Sequence, residues 1–305
     1  WLGRGEKSLS DRAAMNAMRC ELDQLPIGGI VVIGDASHDA EASLKTGQRV
    51  GKPNAEIQFD IAVDPVEGTS YLARGLTNAM AVMALAPKGS LYQPGPAFYM
   101  EKFAASPAAK GKIDPTAPVE DKLRTLAGIL NKPVRELTVF ALEKPRHNQL
   151  VDRIHALGAR VALYPAGDVG GALMAAMPGS GIDALVGTGG TPEGILSACA
   201  IRTLGGEFQA RIDPQLPSEA AAVRKAGLDT TRWLSAEDLV RSERVYFAAT
   251  GITTGLLFEG VERASGLERT QTLLISGITG ERQLLTTYFS MDDDSPSRRK
   301  GGGNA

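Results

Sequence analysis

From residue 120 onward, short β-rich runs alternate with helical stretches, and no other feature constrains the fold as strongly. Spacing predicts helices over 120–130, 147–157, 169–177 and 193–204, and strands over 137–142, 160–164 and 182–186. Lys132-Pro133 and Gly158 stop the first two helices. Alternation of this kind builds an α/β layer. Upstream, Ala14, Met15, Met18 and Leu22 fall at helical spacing and predict a helix over 11–25, with Ser10 and Asp11 capping its start. Strands are predicted over 29–34, 57–63 and 78–85, and again over 244–249 and 271–275. Residues 86–118 are rich in Gly, Pro and Ala, with a β-like patch at 97–103, and read as irregular or hairpin. The composition shifts there. The expected organisation is an N-terminal α+β half (1–118), a C-terminal α/β half (119–290) and a disordered tail (291–305) with nothing to bury.

Thirty-three basic residues against 35 acidic ones give a formal net charge of −2. That balance excludes bulk attraction to nucleic acid, while leaving room for a local cationic cluster. No apolar run approaches the roughly 20 residues of a membrane helix; the longest, 79–87, reads as a buried strand. Neither a signal peptide nor a lipidation motif opens the sequence, so the chain reads as cytoplasmic. It begins abruptly at Trp1, and a leader, to an organelle for instance, would fall outside these residues. Cys20 and Cys199 lack metal spacing and read as small buried hydrophobes. No P-loop, no GxGxxG after the first strand and no Ser/His/Asp pattern is present, which weakens nucleotide-binding and nucleophilic-hydrolase readings.

The chemistry concentrates in Asp64-Pro65-Val66-Glu67-Gly68-Thr69, directly after an apolar strand. Mg2+-like cations take several oxygen ligands and keep some water. A strand that ends in Asp, turns through Pro and offers Glu three residues on aims two carboxylates at one point, with the Val66 carbonyl as a further oxygen. Gly68 lets the backbone approach closely, and Thr69 supplies a hydroxyl at a helix start. The plainer reading is a turn with a helix cap. Lys144-Pro145-Arg146 lies between a strand and a helix and reads either as a phosphate site or as an exposed basic turn. Gly167-Asp168 follows a strand at its carboxyl end, where α/β sheets bind ligands; Asp168 also reads as a plain helix cap.

DPVEGT resembles the metal motif of the lithium-sensitive, metal-dependent sugar and inositol phosphatases. Glu at its second carboxylate is the variant of class II (GlpX-type) fructose-1,6-bisphosphatases. WLGRGEK at 1–7, VVIGD at 31–35, NAMAVMAL at 78–85, YMEKF at 99–103, LEKPRH at 142–147, GTGGTPEG at 187–194 and ATGIT at 249–253 carry the same likeness over roughly residues 1–290. The resemblance implies a layered α/β/α/β/α sandwich. It implies Mg2+ or Mn2+ held by Asp11, Asp35, Asp64, Glu67 and Glu193. Thr69 would orient the attacking water, with Asp39 and Lys7 near the catalytic centre. Gly68, Thr69, Tyr99, Lys144, Arg146, Asp168 and Gly190, with Gly189, would hold substrate. The implied activity removes the 1-phosphate of fructose 1,6-bisphosphate by in-line attack of water, in a homo-oligomer (dimer or tetramer).

Three departures bear on that reading. Asp35 stands where the family has Glu; Ser37 and Ala40 stand where acids are expected, and His38 is new in that loop. Ala166 replaces a common Asp, which removes an acceptor for a substrate hydroxyl. Sedoheptulose 1,7-bisphosphate, larger by one carbon and one hydroxyl, is the competing substrate. An inositol phosphate or 3'-phosphonucleotide phosphatase is a further alternative, against which Glu67 and the KPR segment count. A non-catalytic sugar-phosphate binder is the alternative from another class. His147 reads as a helix-start polar residue or a phosphate contact, and His155 as a surface residue.

Overall fold

The computed structural model describes residues 1–34 and 43–290. Asp35, Ser37, His38, Asp39, Ala40 and the tail 291–305 lie outside the described residues, and with them the expectations placed on them. In chain order the strands are β1 (Gly28–Ile33), β2 (Arg49–Gly51), β3 (Ile57–Glu67), β4 (Met80–Pro87), β5 (Tyr99–Ala105), β6 (Thr138–Leu142), β7 (Arg160–Tyr164), β8 (Ala184–Gly190), β9 (Glu207–Ile212), β10 (Leu234–Ser235), β11 (Tyr246–Gly251), β12 (Glu262–Ala264), β13 (Leu267–Ser276) and β14 (Arg282–Ser290). The helices are α1 (Lys7–Leu22), α2 (Thr69–Ala73), α3 (Val119–Leu130), α4 (Asn148–Ala156), α5 (Asp168–Ala176), α6 (Thr191–Leu204), α7 (Pro217–Lys225) and α8 (Ala236–Leu239).

These elements form two compact units: Trp1–Leu91 together with the chain from Arg244 onward, and Tyr92–Glu243. Each holds a mixed sheet with helices against it, the α/β class expected from the sequence. The division expected at 118/119 differs from this. Strand β5 is hydrogen-bonded on one side to β8 and on the other to β9, so it belongs to the second unit. Strand β11 pairs with β4, which returns the C-terminal segment to the first unit.

The first unit's sheet runs β12-β13-β11-β4-β3-β1-β2, with β14 paired to β13. Only β1 and β3 are parallel among these described strands. Helix α1 starts at Lys7, four residues earlier than expected, so Ser10 and Asp11 lie in its first turns rather than at its cap; Ser10 Oγ donates to the Lys7 carbonyl. The helix places Leu22 and Met18 against Val31, Val50, Ile61 and Val63.

The second unit's sheet runs β10-β9-β5-β8-β6-β7. Strands β7, β6 and β8 are parallel, so the loops leaving their carboxyl ends emerge along one edge. Phe103, Val139, Ala184 and Val186 pack with Leu123, Leu126 and Ile154 of α3 and α4. The alternate residues of β5 face α6, where Gly194 lies against Met100 and Lys102. Helix α5 (DVGGALMAA) is apolar all round, and all nine of its residues are buried.

Candidate active site

In the first unit the site begins with an irregularity in β3. The strand does not end at Val63: it continues through Pro65 to Glu67. Asp64 pairs with Val82 and Glu67 with Met80, so three steps on β3 match two on β4. That is a β-bulge, where a Pro without an N–H costs no ladder hydrogen bond. Residues three apart on a regular strand point to opposite faces. The extra residue returns Glu67 to the face of Asp64, and a carboxylate oxygen of each lies within 4.8 Å of the other. The Val66 N–H donates to Asp64 Oδ1 (3.0 Å), which fixes that carboxylate. Glu67 is buried.

Gly68 follows with φ 83, a left-handed conformation that glycine adopts without strain; a Cβ there would also meet the Tyr71 ring at 2.5 Å. The turn delivers Thr69 to the start of α2. Its hydroxyl lies 3.2 Å from Asp11 Oδ1 and 3.1 Å from the Val66 carbonyl, both acceptors. Donating its single proton to either one leaves the Thr69 oxygen lone pairs free to accept a hydrogen bond from water. Lys7 Nζ donates to Ser70 Oγ at 3.1 Å, next to Thr69.

In the second unit, the edge formed by β6, β7 and β8 presents Lys144 and Arg146, then Asp168, then Glu193. A 3-10 turn over Pro145–His147 carries the two cations, and Lys144 lines a cavity of about 310 Å³. Arg146 stacks over Tyr99 (5.2 Å to the ring centroid) and donates from Nε to the Thr188 carbonyl (3.0 Å). Asp168, first residue of α5, is buried and ion-paired to Lys102. Glu193, in the first turn of α6, has a buried Oε2 with no hydrogen-bond partner among the described residues. Burial pushes its carboxyl up and Asp168 adds to that, while Lys102 offsets part of it. A Cβ on Gly190 would sit 1.9 Å from Glu193 Oε2, so the GTGG run is the space the carboxylate occupies.

A buried carboxylate oxygen without a donor calls for a proton or a cation. In the first unit, the paired Asp64 and Glu67 are all-oxygen donors of the kind that suit a hard divalent ion. One contributor escaped sequence reading. Lys102 is 1% exposed, so Asp168 already holds a buried partner. His147, read as a helix-start polar residue or a phosphate contact, does stand at the start of α4 and is buried: the Thr188 N–H donates to its Nε2 (2.8 Å), and Nδ1, carrying the proton, donates to the Leu142 carbonyl (2.7 Å). Burial lowers its pKa, so it is a neutral strut between the KPR turn and β8. The signal for Lys102 was its place two residues from Met100 on one strand face. Cys199 is buried as expected, but Cys20 is only half-buried.

A family model for bacterial, glpX-encoded fructose-1,6-bisphosphatase matches residues 1–289. The chain belongs to that family. It is 40% identical to the class 2 fructose-1,6-bisphosphatase 1 of Escherichia coli K12, over 97% of this chain and 91% of the relative. It is 39% identical to a Thermosynechococcus vestitus protein named D-fructose 1,6-bisphosphatase class 2/sedoheptulose 1,7-bisphosphatase, over 97% and 92%. Members of this family are phosphoric monoester hydrolases.

Proposed function

We propose that this chain hydrolyses the 1-phosphate of fructose 1,6-bisphosphate, giving fructose 6-phosphate and phosphate. The observation that carries the reading is the bulge that sets Asp64 beside Glu67 and hands Thr69 to Asp11. Asp11, Asp35, Asp64, Glu67 and Glu193 would hold Mg2+ or Mn2+. Such ions neutralise phosphate oxygens, acidify water and stabilise a leaving alkoxide. Thr69 accepts from the attacking water and passes charge toward Asp11, with Lys7 and Asp39 flanking the centre. Lys144 and Arg146 hold the phosphate that is not cleaved. Tyr99, Asp168, Gly68 and Gly190 line the sugar. No side chain forms a covalent intermediate.

The active form is a homo-oligomer. Strand β14 is exposed along its length and carries Leu284, Leu285, Tyr288 and Phe289, apolar area that a second copy would cover.

The test is phosphate release from fructose 1,6-bisphosphate and sedoheptulose 1,7-bisphosphate side by side, with Mg2+, Mn2+ or chelator. The second substrate is included because the T. vestitus relative carries both activities in its name. Turnover of fructose 1,6-bisphosphate that chelator abolishes is expected. Folded protein releasing no phosphate from either sugar would sink the reading.

A further inference from the structure

The second unit holds a cavity of about 270 Å³ that none of the residues assigned above to metal, water or substrate lines. Its charged lining comes from Lys122 of α3, Arg153 of α4, Arg211 of β9, and Glu101 and Lys102 of β5, the last ion-paired to Asp168, with Trp233 and Phe103 as aromatic walls. Lys122 is only 5% exposed, yet it is ion-paired to no carboxylate among the described residues. Its ammonium makes one hydrogen bond, to Gln209 Oε1 at 3.1 Å, and lies 4.1 Å from the Trp233 ring centroid and 5.3 Å from that of Phe103.

The neighbouring acids are engaged elsewhere. Glu101 pairs with Arg211, Glu207 takes the Gly111 N–H and the Gln209 amide, and Asp114 takes Thr116. Arg153 spends its fork on Glu120. Arg211 gives Glu101 a single hydrogen bond and stacks on Trp233 at 4.9 Å, which leaves most of its five N–H groups without a protein acceptor among the described residues. Two cations with spare donors thus share one indole and one cavity. Burial pushes Lys122 down to about 8; Glu101 and Asp114 offset part of that, and Arg211 adds to it.

We propose that this cavity is a second anion site, binding inorganic phosphate or a short phosphate ester through Lys122 and Arg211. An oxyanion of several acceptors fits two cations whose donors are unspent, and charge-assisted bonds to Arg and Lys are the strong ones. The volume lies near the lower end of the roughly 300–1,000 Å³ of small-ligand pockets, which suits a compact ligand.

The chain has two tryptophans, Trp1 and Trp233. In a Trp1→Phe background, Trp233 emission reports the cavity alone. Titration with inorganic phosphate, and separately with pyrophosphate, against chloride at matched ionic strength should give a saturable change that chloride does not. Lys122→Met should weaken the apparent affinity at least about tenfold, the scale of one charge-assisted hydrogen bond. Arg211→Gln, at a half-exposed position, should do the same and serves if Lys122→Met does not fold. The absence of a saturable change overturns the proposal. So does an affinity that both variants leave unchanged, or a response lost in Lys144→Ala but kept in Lys122→Met, which would assign the anion to the KPR turn.

Discussion

Thr69 and Glu67 stand two residues apart and fail differently when truncated. Thr69→Ala removes a hydroxyl held between Asp11 and Val66 while leaving the carboxylates in place. KM for fructose 1,6-bisphosphate should hold while kcat falls by about 10²-fold or more, the scale of a positioned proton-handling group. Glu67→Ala deletes a ligand, so metal affinity and turnover should fall together, and excess Mn2+ should recover part of the loss; assays across a Mn2+ series separate the two cases. Lys122 makes a prediction in pH. Its folded pKa of about 8 lies below the ordinary 10.5, so the fold disfavours the ammonium. That cost is fully present below pH 8 and fades as pH rises towards 10.5. Relative to Lys122→Met, the parent chain should gain thermal stability between pH 7 and pH 10 in phosphate-free buffer; melting temperatures that move in parallel would contradict this. The pairing of Asp64 with Glu67 was legible as two carboxylates three residues apart directly after an apolar strand, whereas Asp11, Asp35 and Glu193 entered only through the family resemblance. Lys102 was not legible: a lysine reads as surface, and its partner Asp168 stands 66 positions away.

At the scale of elements, strand and helix types from 120 to 204 were read correctly because each is short, apolar and punctuated by Gly or Pro. Two strands were misjudged for opposite reasons. Asp64-Pro65 looks like a turn, yet the bulge absorbs it and β3 runs on to Glu67. β5 sits in a Gly/Pro/Ala-rich stretch, and only its long-range partners β8 and β9 reveal it as a central strand. Strand β14, missed altogether, has apolar residues on both faces, so no alternation marks a buried side. Leu284→Glu with Tyr288→Lys should shift the mass measured by light scattering towards that of a single chain; a parent already monomeric would remove the role given to β14.

At the scale of the molecule, the chain leaves the first unit after Leu91 and returns at Arg244, so the second unit is one continuous insert. A composition profile cannot show this, because the return depends on β11 finding β4 across more than 150 residues. Near the ends of the insert, the Tyr92 N–H donates to the Leu239 carbonyl at 2.8 Å. An insert with joined ends and its own sheet and core has what independent folding requires. The fragment 92–243 should therefore unfold cooperatively by itself, in urea followed by circular dichroism and by Trp233 emission. The first unit offers no such fragment. Its sheet order places β11 between β13 and β4, so residues 1–91 alone leave β4 as a bare edge, its Met80–Leu85 partners gone. Residues 1–91 should be unstructured or aggregate, and recover structure only when 244–290 is supplied. A cooperative melt from 1–91 alone would show that the C-terminal strands are an addition to that sheet rather than part of what holds it.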